Sequence, residues 1–273
     1  MTPQEIQQAL TQIGIVLAKL KVIIAGLLIA GSVATPLPPI QSEELTLGGV
    51  GDIQVSTFQE TAKEYKIEKL SNLPEGGMNR TLVNKTKPEI TLEKWNGEVS
   101  LKIAYNDITA PATKISKLGA IGGAETIEYK NTKQELHAYP LPAGEGMEDG
   151  GFEIEVVLNE KPTTNVFEFQ LSGWEDLDFW YQPKMSQERI NRGAFQPENV
   201  VGSYAVYHKT KANHRVGDVN FATGKFFHWY RPRVVDANGY WVWIELSYDE
   251  KFGIMSNIIP QSFLDTATYP IKF

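Results

Sequence analysis

The chain has 273 residues, of which 42% are hydrophobic and 22% are charged, as is typical of a folded globular protein with a sizeable core. The formal net charge is −7 and the isoelectric point is about 5.3, which argues against a nucleic-acid partner because no basic surface neutralises phosphates. Cysteine is absent, which excludes disulfide bonds, a thiol nucleophile and cysteine-ligated zinc.

Residues 1–34 are predicted to form an apolar helix. Val22–Ala34 carries no charge, Lys19 and Lys21 flank its start, and Ser32-Val33-Ala34 has the small-x-small form that signal peptidase cleaves. The run spans about 20 Å of helix, against about 30 Å of membrane hydrocarbon. This pattern predicts an export signal, removed near Ala34 or kept as an anchor, with membrane contact that is transient or confined to residues 13–34.

The same segment also has the heptad spacing of a coiled coil. Its apolar residues recur at steps of four and three: Ile6, Leu10, Ile13, Leu17, Leu20, Ile24 and Leu27. This spacing predicts an oligomerising stalk, and the order of leucine and isoleucine favours three or four helices over two. The sequence leaves both interpretations of the segment open, with an ordinary core helix as the third alternative.

Residues 35–39 (TPLPP) are expected to form a stiff linker, and the sequence beyond it predicts an all-β fold, an antiparallel β-sandwich or jelly roll. Val99–Tyr105 and Phe152–Leu158 alternate apolar and polar residues as half-buried strands do, and Val166–Leu171 is expected to pair with the second of them. Four further strands are predicted at Tyr204–His208, Lys225–Tyr230, Tyr240–Tyr248 and Ile254–Ile259.

Turn and helix signals complete this pattern. Asn238-Gly239 predicts a hairpin turn after Arg233–Val235. Thr57–Leu70 fits a helix or a strand, and short helices are predicted at Ser186–Arg192, ending at Gly193, and at Gln261–Asp265.

Pro142–Gly151 is rich in glycine and acid and marks the best domain boundary in the body. It favours two β domains, 40–145 and 146–273, with a single large sandwich as the alternative. Glu145, Glu148 and Asp149 in this stretch offer oxygen ligands for calcium, although no EF-hand spacing is present.

One segment combines acids with aromatic residues and a second is rich in aromatic residues, as in many sugar-binding sites, because rings stack on sugar faces while carboxylates bind hydroxyls. These candidate residues are Trp174, Glu175, Asp176, Asp178 and Trp180, together with Trp241 and Trp243. Burial of the same rings in a sandwich core, with the acids in water, is the competing interpretation.

The sequence contains no common catalytic motif that would assign an activity: it has no Gly-x-Ser-x-Gly elbow and no His-Glu-x-x-His motif. His208, His214 and His228 are weak candidates for a metal site, and ordinary hydrogen-bonding roles compete with it. The sequence indicates no cofactor.

Three segments of the second half, Glu198–His208, Arg231–Gly239 and Ile259–Ile271, resemble uncharacterised β-sandwich proteins of phage particles and bacterial surfaces. The resemblance covers residues 150–273 and implies a jelly-roll-like sandwich in an extracellular or virion setting, with no catalytic residues to transfer.

The sequence therefore predicts a non-enzymatic structural or adhesion protein of a virion, fibre or cell surface, assembled as a homo-oligomer. The alternative is a secreted carbohydrate-binding module or glycan hydrolase.

Overall fold

The computed structural model describes residues 57–70, 77–116, 125–142, 150–211, 215–216, 219–220 and 224–273. The predicted N-terminal helix with its heptad residues, the linker, the acidic residues Glu145, Glu148 and Asp149, and His214 lie outside the described residues. In the described ranges no helix is long and apolar enough to cross a membrane.

The described strands belong to one unit, Gly51–Phe273, and are numbered here along the chain. Sheet I has eight strands in the spatial order β1 (Gln59–Glu60), β2 (Glu64–Leu70), β3 (Met78–Asn84), β4 (Glu89–Lys94), β5 (Val99–Tyr105), β10 (Val166–Ser172), β19 (Ile254–Ile258) and β18 (Glu245–Asp249). Sheet II has seven strands in the order β17 (Trp241–Trp243), β16 (Arg233–Val235), β20 (Ile271–Lys272), β9 (Gly151–Leu158), β8 (Gln134–Leu141), β7 (Glu125–Lys130) and β6 (Thr113–Ser116).

Sheet III and a ribbon complete the strands. Sheet III has the order β11 (Leu177–Tyr181), β12 (Tyr204–His208) and β15 (Lys225–Trp229), and the ribbon pairs β13 (Arg215–Val216) with β14 (Val219–Asn220). The helices in the described ranges are α1 (Gln187–Asn191) and α2 (Gln261–Thr266). Neighbouring strands pair antiparallel in each sheet, which confirms the predicted all-β, antiparallel class.

Side chains from one face of sheet I contact one face of sheet II. The Tyr105 hydroxyl donates a hydrogen bond of 2.8 Å to Gln134 Oε1, and the Phe167 and Phe273 rings lie 5.2 Å apart. Fully buried side chains such as Leu101 and Leu136 surround these contacts. Burial of each such side chain contributes about 1.5–3 kcal/mol, so the core between the sheets stabilises the fold.

The predicted strands are found, with two corrections. Val166–Leu171 was predicted to pair with Phe152–Leu158, and this is wrong, because β10 pairs with β5 and β19 in sheet I while β9 lies in sheet II. Tyr240–Tyr248 was predicted as one strand, but the chain leaves sheet II after Trp243 and enters sheet I at Glu245. Buried Ile244 lies at this crossing.

Thr57–Leu70 is a strand region, since Tyr65 and Ile67 are buried at a spacing of two. The hairpin at Gly239, with φ of +83°, confirms the predicted turn. α1 begins after its N-cap Ser186 and is followed by Gly193, whose φ is +87°. α2 covers the predicted helix at Gln261–Asp265.

The predicted boundary at 145/146 falls between β8 and β9. These two strands pair along their whole length, from Gln134 opposite Leu158 to Leu141 opposite Gly151. Both large sheets also contain strands from each side of the boundary.

Candidate functional site

Sheet III has an inner face that packs on the body and an outer face that points away from it. Phe179 stacks on Tyr248 of β18 with ring centroids 4.1 Å apart, and Trp229 contacts Phe169 of β10 edge to face. Because neighbouring residues of a strand point to opposite faces, Trp180 and the other alternate residues of the sheet lie on the outer face.

The outer face contains a row of one large ring, one small residue and a second ring. Trp180 lies opposite Ala205 in the β11–β12 pairing, and Ala205 lies opposite His228 in the β12–β15 pairing. Trp180 is 60% exposed. Because Ala205 contributes only a methyl group, a shallow depression of about 460 Å³ lies between the two rings, and we name it the Trp180 notch. The residues that line it are Trp180, Gln182, Ala205, Tyr207, Lys225 and His228.

A second row supplies polar groups beside the rings. Asp178 lies opposite Tyr207, and Tyr207 lies opposite Lys225 across the bulge in the β12–β15 pairing. A carboxylate, a phenol and an ammonium group therefore follow one another across the same face. Together they offer hydrogen-bond acceptors and donors to a ligand that lies over the rings.

His228 is held in place on both of its sides. Its Nε2 lies 2.6 Å from Ser203 Oγ, and its ring stacks on Tyr230 with centroids 4.4 Å apart. Burial, reinforced by the charge of Lys225, lowers the pKa of His228 to about 4. The ring is therefore neutral near pH 7.

The contact between Ser203 and His228 is structural. The Ser203 hydroxyl donates its hydrogen to the Val200 carbonyl oxygen over 2.6 Å, so the network assigns Nε2–H of His228 as the donor to Ser203 Oγ. Ser203 is fully buried, and no carboxylate in the described ranges is hydrogen-bonded to His228. A serine nucleophile would need access to substrate and a base positioned to take its proton, and this pair offers neither.

A larger groove of about 880 Å³ lies between β15 and the two large sheets. Its lining includes the inner-face ring of Trp229, Phe169 of sheet I and Phe152 of sheet II, and it also reaches His228 and Arg231. The groove therefore lies mainly on the side of sheet III that faces the body.

Of the predicted acidic and aromatic residues near β11, the structure brings two to this face. Asp178 and Trp180 lie on the outer face, two residues apart on one strand. Trp174 is half-buried, and its indole fills the space beside Gly253 where a Cβ would lie. Glu175 and Asp176 are exposed in the turn before β11, where their carbonyl oxygens accept hydrogen bonds from Lys209.

Trp241 and Trp243 lie apart from the notch, on β17 at the edge of sheet II. Their rings are 5.5 Å apart at 82°, so they do not form a coplanar platform. The Arg233 guanidinium lies 4.9 Å from the Trp241 ring centre and 5.8 Å from the Trp243 ring centre, and Arg231 lies 5.3 Å from Trp243. These cation–π contacts occupy ring surface that a sugar would need.

The two predicted histidine ligands in the described ranges have separate partners. His208 Nδ1 accepts hydrogen bonds from the backbone N–H groups of Thr210 and Lys211, whereas His228 contacts Ser203. His208 lies opposite Leu177 at one end of β12, and His228 lies opposite Ala205 nearer the other end.

Sequence reasoning missed Ala205, Tyr207 and Lys225 as parts of this face. Their contribution comes from cross-strand pairing with β11, which the sequence of β12 and β15 does not reveal. The usable signal is the alternation in Tyr204–His208, which places Ala205 and Tyr207 on one face.

Comparisons of the chain with protein-family models, with curated proteins and with solved structures gave no match.

Proposed function

We propose that the β body binds a carbohydrate at the Trp180 notch and serves as a non-enzymatic adhesion or structural unit of a virion, fibre or cell surface. The observation that carries the proposal is the exposed Trp180 ring beside the gap over Ala205.

Within the all-β class, the proposed fold is a β-sandwich of the jelly-roll kind. Its support is the contact of sheets I and II through Tyr105 with Gln134 and through Phe167 with Phe273. Such sandwiches supply rigid faces for ligand contacts, because each strand is fixed by its neighbours and by the core.

An exposed tryptophan on a rigid sheet favours a ligand with an apolar face and polar edges. Tryptophan side chains gain free energy when buried, so a ring left 60% exposed on a paired strand is a candidate contact. The C–H face of a sugar ring stacks on indole, and its hydroxyls need acceptors and donors at the edge. Asp178, Tyr207 and Lys225 offer these groups in the neighbouring row.

The setting of the proposal comes from the N-terminal sequence. An export signal or an oligomerising stalk at residues 1–34 would place the β body outside the cytoplasm or in an assembly. Several copies in one assembly would raise the avidity of a weak individual sugar site.

The test is retention on a glycan array by wild-type protein and two variants. Trp180→Ala removes the proposed contact, and Tyr181→Ala is the matched control, because Tyr181 is the next residue on β11, is also exposed, and points to the opposite face. We expect wild type and Tyr181→Ala to retain the same glycans and Trp180→Ala to lose at least about tenfold in affinity, the value of one good stacking contact. Absence of binding by wild type, or equal binding by Trp180→Ala, would contradict the proposal.

A further inference from the structure

The outer face of sheet II contains a buried histidine among three glutamates. His137 on β8 lies directly opposite Glu128 on β7 and Glu155 on β9, and Glu135 precedes it by two residues on the same strand. Leu136 is fully buried in the core, so the alternation of β8 places His137 and Glu135 together on the other face.

The imidazole contacts all three carboxylates. Nδ1 lies 3.1 Å from Glu155 Oε1, while Nε2 lies 3.2 Å from Glu135 Oε2 and 3.3 Å from Glu128 Oε2. The four side chains are 8–19% exposed, with His137 the most buried. These groups therefore interact in a largely water-excluded environment.

The two imidazole nitrogens of His137 both face carboxylate oxygens. A neutral imidazole has hydrogen on only one nitrogen, and an ionised carboxylate only accepts hydrogen bonds. If Nδ1–H donates to Glu155, the lone pair of Nε2 faces two carboxylate oxygens. That side needs either a proton, on His137 or on one of the two carboxyl groups, or a metal ion.

The charges around the cluster favour an added cation. Lys130 pairs with Glu135 and also interacts with the charge of Glu128, while Lys272 pairs with Glu155, so two lysine ammonium groups face three carboxylates.

The separations between donor atoms fit a tetrahedral ion. With metal–ligand bonds of about 2.0–2.1 Å, neighbouring ligands of a tetrahedral zinc lie about 3.3 Å apart. The distances from His137 Nε2 to the Glu128 and Glu135 oxygens match this ligand–ligand separation. These three donor atoms all lie within 4.8 Å of one another. A mixed imidazole and carboxylate set suits zinc better than calcium, which takes oxygen ligands.

The geometry points to a zinc site in which His137 Nε2, Glu128 and Glu135 are the ligands, a water completes the tetrahedron, and Glu155 orients the imidazole through Nδ1–H. A carboxylate that holds the second nitrogen of a ligating histidine is a recurring feature of zinc sites. The ion would cross-link β7 and β8 of sheet II. The site shares no residue with the Trp180 notch, so it stands independently of the proposed sugar binding.

Calorimetric titration of chelator-treated full-length protein with Zn²⁺, and separately with Ca²⁺, tests the site. We expect one Zn²⁺ per chain and no comparable Ca²⁺ binding. Glu128→Gln and His137→Gln should weaken Zn²⁺ binding at least about tenfold, and Glu155→Gln about 10–100-fold. Glu153→Gln, on the same face of β9, is the matched control and should bind as wild type does.

A thermal melt with and without Zn²⁺ gives the second readout. Zinc should raise the melting temperature of wild type and Glu153→Gln and leave that of Glu128→Gln unchanged, because only a bound ion stabilises the folded state. Glu128 is the most exposed ligand, so its glutamine variant keeps the test valid if the His137 variant fails to fold. Absence of stoichiometric Zn²⁺ binding, preference for Ca²⁺, or equal Zn²⁺ binding by wild type and Glu128→Gln would overturn the site.

Discussion

The hydroxyl of Ser203 lies 2.6 Å from Nε2 of His228, and this hydrogen bond fixes the imidazole beside the Trp180 notch. Ser203 is fully buried, so the contact ties an outer-face side chain to the interior of the body. The stacked Tyr230 ring supports the imidazole from another side. His228 is thus a rigid wall of the notch, and its charge state is coupled to folding.

That coupling predicts a pH dependence of stability. The pKa of His228 is about 4 in the folded protein and about 6.5 in an unfolded chain, so between these values the unfolded state binds more protons. The free energy of unfolding should therefore rise with pH from about 4 to about 6.5, and this contribution is complete above that range. Protonation of His228 in the folded state would put a charge on a largely buried ring, which is unfavourable.

The measurement is a series of denaturant melts from pH 4 to 7 on wild type and His228→Gln. We expect the variant to show a flatter pH profile across this interval. Both proteins keep His137 and His208, so the difference between their curves isolates His228. Identical pH slopes for the two proteins would show that His228 does not have the lowered pKa.

Trp241 should contribute little to stability. Its ring is 40% exposed on the edge strand of sheet II, and its main described partners are Arg233 and Trp243. Trp241→Ala should cost about 1 kcal/mol, the scale of a surface cation–π contact with some lost burial. Leu136→Ala, at a fully buried position, should cost about 2–5 kcal/mol. Equilibrium denaturation compares them, and a loss of 3 kcal/mol or more for Trp241→Ala would mean that the ring belongs to the core.

Asp236 should stabilise the hairpin between β16 and β17 through backbone hydrogen bonds. Its carboxylate accepts from the N–H groups of Asn238 and Tyr240 at 2.9 Å and of Thr268 at 3.1 Å. Burial opposes ionisation, but these donors prevail and hold the pKa of Asp236 below its usual value. Asp236→Ala should therefore lower the melting temperature at pH 7.

The pH dependence of that loss follows from the lowered pKa. Stabilisation by Asp236 is present above the unfolded pKa of about 3.9 and disappears as pH falls through the lower folded value. Thermal melts of wild type and Asp236→Ala should therefore differ at pH 7 and converge in strong acid. A constant difference at all pH values would mean that the side chain acts by packing alone.

Residues 1–34 give a prediction about mass. Under the signal interpretation, the exported protein lacks residues 1–34 or stays anchored by them. Under the stalk interpretation, it keeps Met1 and assembles as three or four chains. Intact-mass spectrometry with light scattering of native material distinguishes these outcomes. A soluble monomer that begins at Met1 would contradict both interpretations.

The alternation of apolar and polar residues predicted where strands lie, but it did not predict which strands pair with each other. Val99–Tyr105 and Tyr204–His208 are strands at the predicted residues, because alternation is a property of each segment. The partner of Val166–Leu171 was predicted wrongly, since pairing with β5 and β19 depends on contacts far along the chain. The break at Ile244 was also missed, because no glycine or proline between Trp241 and Tyr248 marks a crossing between sheets.

The candidate site was only partly predictable for a similar reason. Alternation separates Trp180 from Phe179, but it does not say which of the two faces the core. Ala205 has no chemical signal of its own, and its role comes from lying opposite both Trp180 and His228. The cluster around His137 likewise depends on the register of three strands, although Glu135-x-His137 already places two of its members on one face.

The central claim is that a sugar stacks on Trp180, and indole NMR of ¹⁵N-tryptophan-labelled protein tests it most directly. The chain has six tryptophans, and the signal missing from Trp180→Ala identifies the Trp180 indole. On titration with a glycan retained by the array, the account predicts that the Trp180 signal shifts most, while those of Trp95 and Trp241 stay in place. Larger shifts at Trp241 or Trp243, or no shift of the Trp180 signal at saturating glycan, would contradict it.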